Sequence, residues 1–147
     1  MAVTIHRYNH TARKFLAGDV DIENLKAMLL TNDASFTATN TELDQVNNSG
    51  TYEVHGNGWT QGGELLDGAA VTTVATNGAM LDANDISVNA TGAPIGPAYK
   101  MVIYDDSDED DAPLWFVDFG EAQTAGTGTP FIVSFHGNGL FRITDPE

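Results

Sequence analysis

The sequence predicts a mainly β protein, an antiparallel β-sandwich or barrel with one or two short helices near the N-terminus. Short runs of alternating or β-branched residues recur from residue 51 to the end, separated by Gly, Asn and Pro turns. Helix-like patterns occur only before residue 47. No linker divides the 147 residues, which is an ordinary length for one domain. We therefore interpret residues 1–147 as a single β-rich domain.

The expected strands follow one another at roughly regular spacing, each with a period-2 or β-branched pattern. They are residues 3–8, 24–30, 51–55, 69–76, 85–91, 98–104, 114–119, 131–135 and 140–144. The run 24–30 also has helical propensity, but it is short, and we favour a strand. Asn-Gly at 77–78 predicts a turn between strands, and Gly-Asn-Gly at 137–139 predicts the turn that joins the last pair.

Two short helices are expected before the strand-rich region. Thr11 is the predicted N-cap of the first helix, and Gly18 stands where a glycine follows a helix C-terminus. The second helix is expected at 40–46, with Thr39 or Asn40 as its cap.

The strand at 114–119 is apolar on both faces, which is typical of a central strand or of one covered by a partner. Simple alternation places Trp115 with Val117 on one face, and Leu114 with Phe116 on the other. A sandwich buries only one of these faces in its own core, so another chain or a loop should cover the second face. We therefore predict that Leu114 and Phe116 pack against a neighbouring subunit.

The charges are strongly segregated. The chain has 21 acidic and 6 basic residues, for a net charge of −15, yet residues 1–14 contain Arg7, Arg13 and Lys14 and no acid. We interpret residues 1–14 as a basic N-terminal arm and first strand that docks on an acidic surface, including that of another copy. The anionic remainder repels phosphate, so nucleic acid is not an expected partner.

The acidic loop at 105–111 predicts a solvated hairpin connection between two apolar strands. The alternative is a weak divalent-cation site on Asp106, Asp108 and Asp110, which have the alternate spacing of a calcium loop. Asp111 stands where that loop needs Gly, and Val117 stands where it needs a bidentate Glu. We therefore expect neither a metal nor any other cofactor.

Trp59 lies in a glycine-rich loop and is the better exposed of the two tryptophans for stacking on a sugar, but a core or subunit-interface position is the interpretation that we favour, with sugar stacking as the alternative. Trp115 is expected in the core. The serines lie in no nucleophile context and the glycine loops in no phosphate-loop context, so we predict that the protein is not an enzyme. The first residues lack the apolar region of a secretory signal, and no run is long enough to span a membrane, so synthesis in the cytoplasm and no membrane partner are expected.

Several phrases resemble a family of small structural proteins encoded by tailed bacteriophages. They are YNHTARKFLAG at 8–18, GNGWTQGGELL at 56–66, TNGAMLDANDISV at 76–88, the run from 92 to 131, and GLFRI at 139–143. The resemblance implies a virion component, synthesised in a bacterial host. Its most natural position is that of a capsid decoration (cement) protein on the outer head surface, where it would bridge major capsid protein subunits as a homo-oligomer. The alternative is a tail- or fibre-associated module that binds a receptor or glycan through Trp59 and the two His-Gly-Asn-Gly loops.

Overall fold

The computed structural model describes residues 3–74, 77–137 and 139–144. Its helices are α1 (Thr11–Leu16) and α2 (Leu43–Asn47), with a single 3-10 turn at Ile22–Asn24. Its strands are β1 (Thr4–Arg7), β2 (Leu25–Leu30), β3 (Glu53–Val54), β4 (Glu64–Leu65), β5 (Ala70–Val74), β6 (Gly78–Asp82), β7 (Ile86–Asn89), β8 (Ile95–Asp105), β9 (Pro113–Ala125), β10 (Pro130–Val133) and β11 (Phe141–Ile143). The mainly β class with two short N-terminal helices is confirmed.

The largest element is a six-stranded sheet with the order β1-β9-β8-β2-β3, to which β4 adds beside β2. A two-stranded sheet pairs β10 with β7, and a three-stranded sheet has the order β11-β6-β5. All the ladders in the described part of the chain are antiparallel. Among the described residues β1 pairs with β9 alone, so it forms an edge of the large sheet as described.

The large sheet is covered on both faces by the chain itself. One face contributes Ala27, Met101, Ile103 and Trp115 to a cluster that also holds residues of the two smaller sheets, such as Phe131. The opposite face forms a second cluster. That second cluster contains Tyr8, Met28, Leu30, Ala34, Leu43, Val46, Val102, Tyr104 and Phe116, with Phe36 and Tyr52 packed against it. The central strands are therefore apolar on both faces because each face has its own cover.

The prediction that Leu114 and Phe116 pack against a neighbouring subunit is wrong. Phe116 is 2% exposed and Leu114 is fully buried, within the chain's own clusters. The two side chains do not share a face either, because the register of β9 against β8 shifts between Ile103 and Tyr104. This irregularity interrupts the simple alternation, so Leu114 joins the cluster of Trp115 while Phe116 joins the opposite one.

The N-terminal segment does not extend away from the protein over its described residues. Residues 4–7 form the first strand, as predicted, in register with β9. Tyr8 and Thr11 are buried, and the Thr11 hydroxyl donates to the Leu114 carbonyl at 2.8 Å. The basic segment is thus part of the sheet and its packing.

Both predicted helix caps are displaced. His10, not Thr11, occupies the N-cap of α1, because the Thr11 hydroxyl bonds across to β9 instead of to its own helix. The α2 helix begins later than expected, with Glu42 at its N-cap. The Gln45 side-chain oxygen accepts the Glu42 amide at 3.1 Å and so replaces the expected caps Thr39 and Asn40. Gly18 does follow the end of α1, with a φ of +76°.

Candidate functional site

Two of the three predicted docking cations are available at the surface, and one is not. Arg7 and Arg13 are exposed. The Lys14 Nζ lies 3.0 Å from Asp108 Oδ2, and the two side chains are only 13% and 19% exposed. Lys14 therefore neutralises part of the acidic loop of its own chain, which makes it a weaker candidate for docking than Arg7 or Arg13.

The acidic loop is organised by a residue that the sequence did not single out. Asp105 is 1% exposed, and its carboxylate accepts the Asp21 amide and both the amide and hydroxyl of Ser107. The cause is position, since Asp105 is the last residue of β8 and turns its side chain into the loop that follows. Its only sequence signal was its place at the start of an acidic run.

The carboxylates of this loop do not gather around a common point. Asp106 pairs with Lys26 at 3.0 Å, whereas Asp108 pairs with Lys14. No cluster of three or more metal-binding side chains occurs within the described residues. The alternative divalent site on Asp106, Asp108 and Asp110 is therefore wrong, because two of its ligands are committed to different lysines.

The pKa values of two loop carboxyls move in opposite directions. Desolvation opposes the ionisation of Asp108, but the Asp110 amide and Lys14 outweigh it and hold the pKa of Asp108 below 3.8. Desolvation, followed by repulsion from Asp106 and other nearby acids, raises the pKa of Asp111. Lys14 and Lys26 thus offset part of the repulsion among the carboxylates of the loop.

Trp59 is not a surface platform. It is 2% exposed, and its ring meets Phe131 edge-on with the centroids 5.4 Å apart. The favoured core position of Trp59 is confirmed, and the alternative of an exposed sugar-stacking Trp59 is wrong. Trp115 is in the core as expected.

The glycine-rich loop around Trp59 is closed against the sheet. Gly56 and Trp59 bond to each other in a tight bridge, and the Tyr104 hydroxyl donates to the Gly62 carbonyl. A side chain at Gly63 would meet the Ala27 carbonyl oxygen at 2.5 Å, which explains the glycine there. In the second His-Gly-Asn-Gly run, Asn138 lies outside the described residues.

The feature that the sequence missed is an apolar pocket beside β1. It has a volume of about 490 Å³ and lies between one face of β1, β8 and β9 and the segment from β10 to Leu140. Val3, Ile5 and Ile132 line it while remaining 58%, 67% and 56% exposed. These large aliphatic side chains are more than half exposed and surround a concave surface, a combination that is typical of a binding site.

Only a few polar groups accompany these apolar side chains in the pocket lining. They are Glu121, Gln123, Thr124, Ser134 and His136.

The alternation of residues 3–7 in the sequence placed Val3, Ile5 and Arg7 on one face. It could not reveal that this face borders an open pocket, because the other wall comes from residues more than a hundred positions away.

Arg7 connects the pocket side of β1 to the last strand. Its guanidinium carbon lies 5.3 Å from the centre of the Phe141 ring, a cation–π distance. The contact orients Arg7 while leaving it exposed. Arg7, Val3 and Ile5 thus form one surface that combines charge with apolar area, which we call the β1 surface.

No family model, curated protein or solved structure matches this chain. No helix within the described ranges is long and apolar enough to cross a membrane.

Proposed function

We propose that the protein is a virion structural protein of a tailed bacteriophage. In this proposal it is a capsid decoration protein that binds the outer surface of the head and bridges major capsid subunits. The observation that carries the proposal is the β1 surface, where exposed Val3 and Ile5 lie beside exposed Arg7 on a chain with a net charge of −15. An assembly surface that differs in character from the rest of the molecule favours a binding role with a defined orientation.

The physics of docking follows from that contrast. The cations Arg7 and Arg13 attract an acidic patch on the shell, and Val3 with Ile5 add apolar area that is removed from water on contact. The remaining acidic surface then points outward, where its negative charge keeps particles from adhering to one another. Contacts to more than one shell subunit gain strength by multivalency, although each contact alone is small.

The structure changes the residues assigned to docking. Val3, Ile5, Arg7 and Arg13 are accessible, whereas Lys14 is paired internally and both Leu114 and Phe116 are buried. The glycan-binding alternative loses its main contact, because Trp59 is in the core. We therefore retain the head position as the proposal.

Purified particles test the proposal directly. Quantitative gel staining should find the protein in a copy number comparable to that of the major capsid protein. Particles stripped of it should rupture at lower temperature or milder osmotic stress than decorated ones. Absence from particles, or a few copies confined to the tail, would refute the head position.

A charge-matched pair of variants tests the docking residues. Arg7→Gln with Arg13→Gln should reduce rebinding to stripped particles, and wild-type binding should weaken as salt rises. Gln61→Glu with Thr91→Glu changes the net charge equally at exposed positions outside the N-terminal segment, and it should rebind nearly as well as wild type. Equal loss in both variants would mean that net charge, and not the position of Arg7 and Arg13, controls docking.

A further inference from the structure

The outer edge of β1 carries unpaired backbone groups. The Tyr8 amide donates to the Leu114 carbonyl at 3.2 Å, which extends the β1–β9 register by one position. Backbone groups alternate along an antiparallel ladder, so those of Thr4 and His6 also point to β9. Those of Ile5 and Arg7 point away from it, and no hydrogen bond to them from another described residue is found.

This edge has little protection against pairing with another strand. Natural edge strands are commonly blocked by Pro, a bulge, an inward charge or a covering segment. The strand β1 has no Pro, it keeps a regular register with β9, and Ile5 at its centre is 67% exposed. Within the described ranges its shortness and Arg7 are the protective features that remain, and neither blocks the backbone of Ile5.

We propose that two copies of the chain pair antiparallel through their β1 edges, with the two-fold axis passing between the two Ile5 residues. The two six-stranded sheets then become one continuous sheet across the dimer. Reciprocal hydrogen bonds join Ile5 to Ile5 of the second copy, and Val3 faces Arg7 of the second copy on either side. The contact is isologous, as two-fold symmetry requires.

Charge favours a second copy at this place. Two bodies of net charge −15 repel each other, but residues 1–18 contain no Asp or Glu, so the repulsion is weakest where these segments meet. Charge also selects the register. Centring on Ile5 separates the two Arg7 residues by four positions along the strand, roughly 13 Å. Centring on Arg7 would place them directly opposite, which is unfavourable.

Apolar burial favours the same arrangement. Residues that pair directly across two strands project their side chains to the same face. Ile5 and Val3 of the second copy therefore project beside those of the first, on the face that lines the pocket. Exposed aliphatic side chains from both copies lie side by side and partly shield each other from water, while the face that they form stays open toward the shell. The dimer also doubles the number of exposed arginines on one side of the assembly, which would strengthen attachment to an acidic shell.

The absence of cysteine from the sequence makes the register testable by disulfide trapping. Ile5→Cys should form an intermolecular disulfide under mild oxidation, because a hydrogen-bonded antiparallel pair has Cα atoms about 5.5 Å apart, within disulfide range. Leu16→Cys is the matched control, since Leu16 is 74% exposed and lies outside β1. Mixed Val3→Cys and Arg7→Cys chains should cross-link to each other faster than either does to itself.

Sedimentation equilibrium of the isolated wild-type protein provides a second readout. The dimer should strengthen as salt screens the repulsion between the bodies, opposite to the salt dependence of docking on an acidic shell. Ile5→Lys should weaken dimerisation by at least about tenfold, whereas Leu16→Lys should not. Thermal unfolding of each variant verifies that it is folded.

Three results would overturn the proposal. They are a wild-type monomer at all protein and salt concentrations, trapping of Ile5→Cys no faster than that of Leu16→Cys, and a dimer that survives Ile5→Lys. All of these assays use the isolated protein, whereas the virion role is tested on particles. The proposed dimer and the proposed virion role can therefore be refuted independently of each other.

Discussion

Phe116 offers the sharpest test of the burial on the second face of the large sheet. It is 2% exposed, and its ring centre lies 6.0 Å from that of Phe36. Phe116→Ala removes the ring from a cluster closed by the chain's own residues, so it should lower the free energy of unfolding by about 3–5 kcal/mol. For a chain of this length each kcal/mol corresponds to about 2–4 °C, so the melting temperature should fall by about 6–20 °C.

The assay is denaturant and thermal unfolding of the isolated protein, followed by circular dichroism. Ile5→Ala is the control, because Ile5 is 67% exposed in the isolated chain and its truncation should change stability by no more than about 0.5 kcal/mol. The two variants should therefore fail differently: Phe116→Ala in folding, and Ile5→Ala in association. An unchanged melting temperature for Phe116→Ala, with loss of particle binding alone, would refute the burial and restore Phe116 as a contact residue.

The remaining predictions concern the acidic loop and the glycine turns. Lys14→Met should cost about 1–2 kcal/mol near neutral pH. Because the folded pKa of Asp108 is depressed, this stabilisation exists above pH 3.8 and is lost as the pH falls through the folded pKa, so acid titration of unfolding should show the two proteins converge. Asp111 has a raised folded pKa, so its charged form is destabilising above that pKa. Asp111→Asn should melt higher than wild type near pH 7 and equally near pH 3, and the reverse order would contradict this reasoning. Gly63→Ala should be more destabilising than Gly92→Ala in denaturant titrations, since both have positive φ but only Gly63 faces a carbonyl oxygen; equal costs would mean that φ alone matters.

Local patterning was enough to predict most of the strands. Residues 3–8 and 98–104 alternate or carry β-branched and aromatic side chains, and each contains or overlaps an observed strand. The two-sided apolar character of 114–119 correctly indicated a central strand, since β9 lies between β1 and β8. These features depend on residues that are adjacent in the sequence, so they can be recognised from the sequence alone.

The sequence alone also shows that the basic residues are segregated, but it does not show which of them are exposed and which pair with acids of the same chain. Arg7 and Lys14 are equally basic in the sequence, yet Arg7 is exposed on an edge strand whereas Lys14 meets a carboxylate 94 positions away. A contact between segments so distant depends on how the whole sheet is ordered.

Tertiary structure alone decided where the proposed binding surface lies. The position of β1 at an edge, the irregular register that turns Leu114 away from Phe116, and the closure of the glycine loop over Trp59 all depend on strand order and register. Strand order is set by long-range packing that leaves no periodic trace in the sequence. The sequence by itself therefore determined most of the strands, the acidity and the acid-free N-terminal segment. Only the folded structure decided which of those residues are left exposed for another molecule to bind, because exposure depends on which distant segments cover each face.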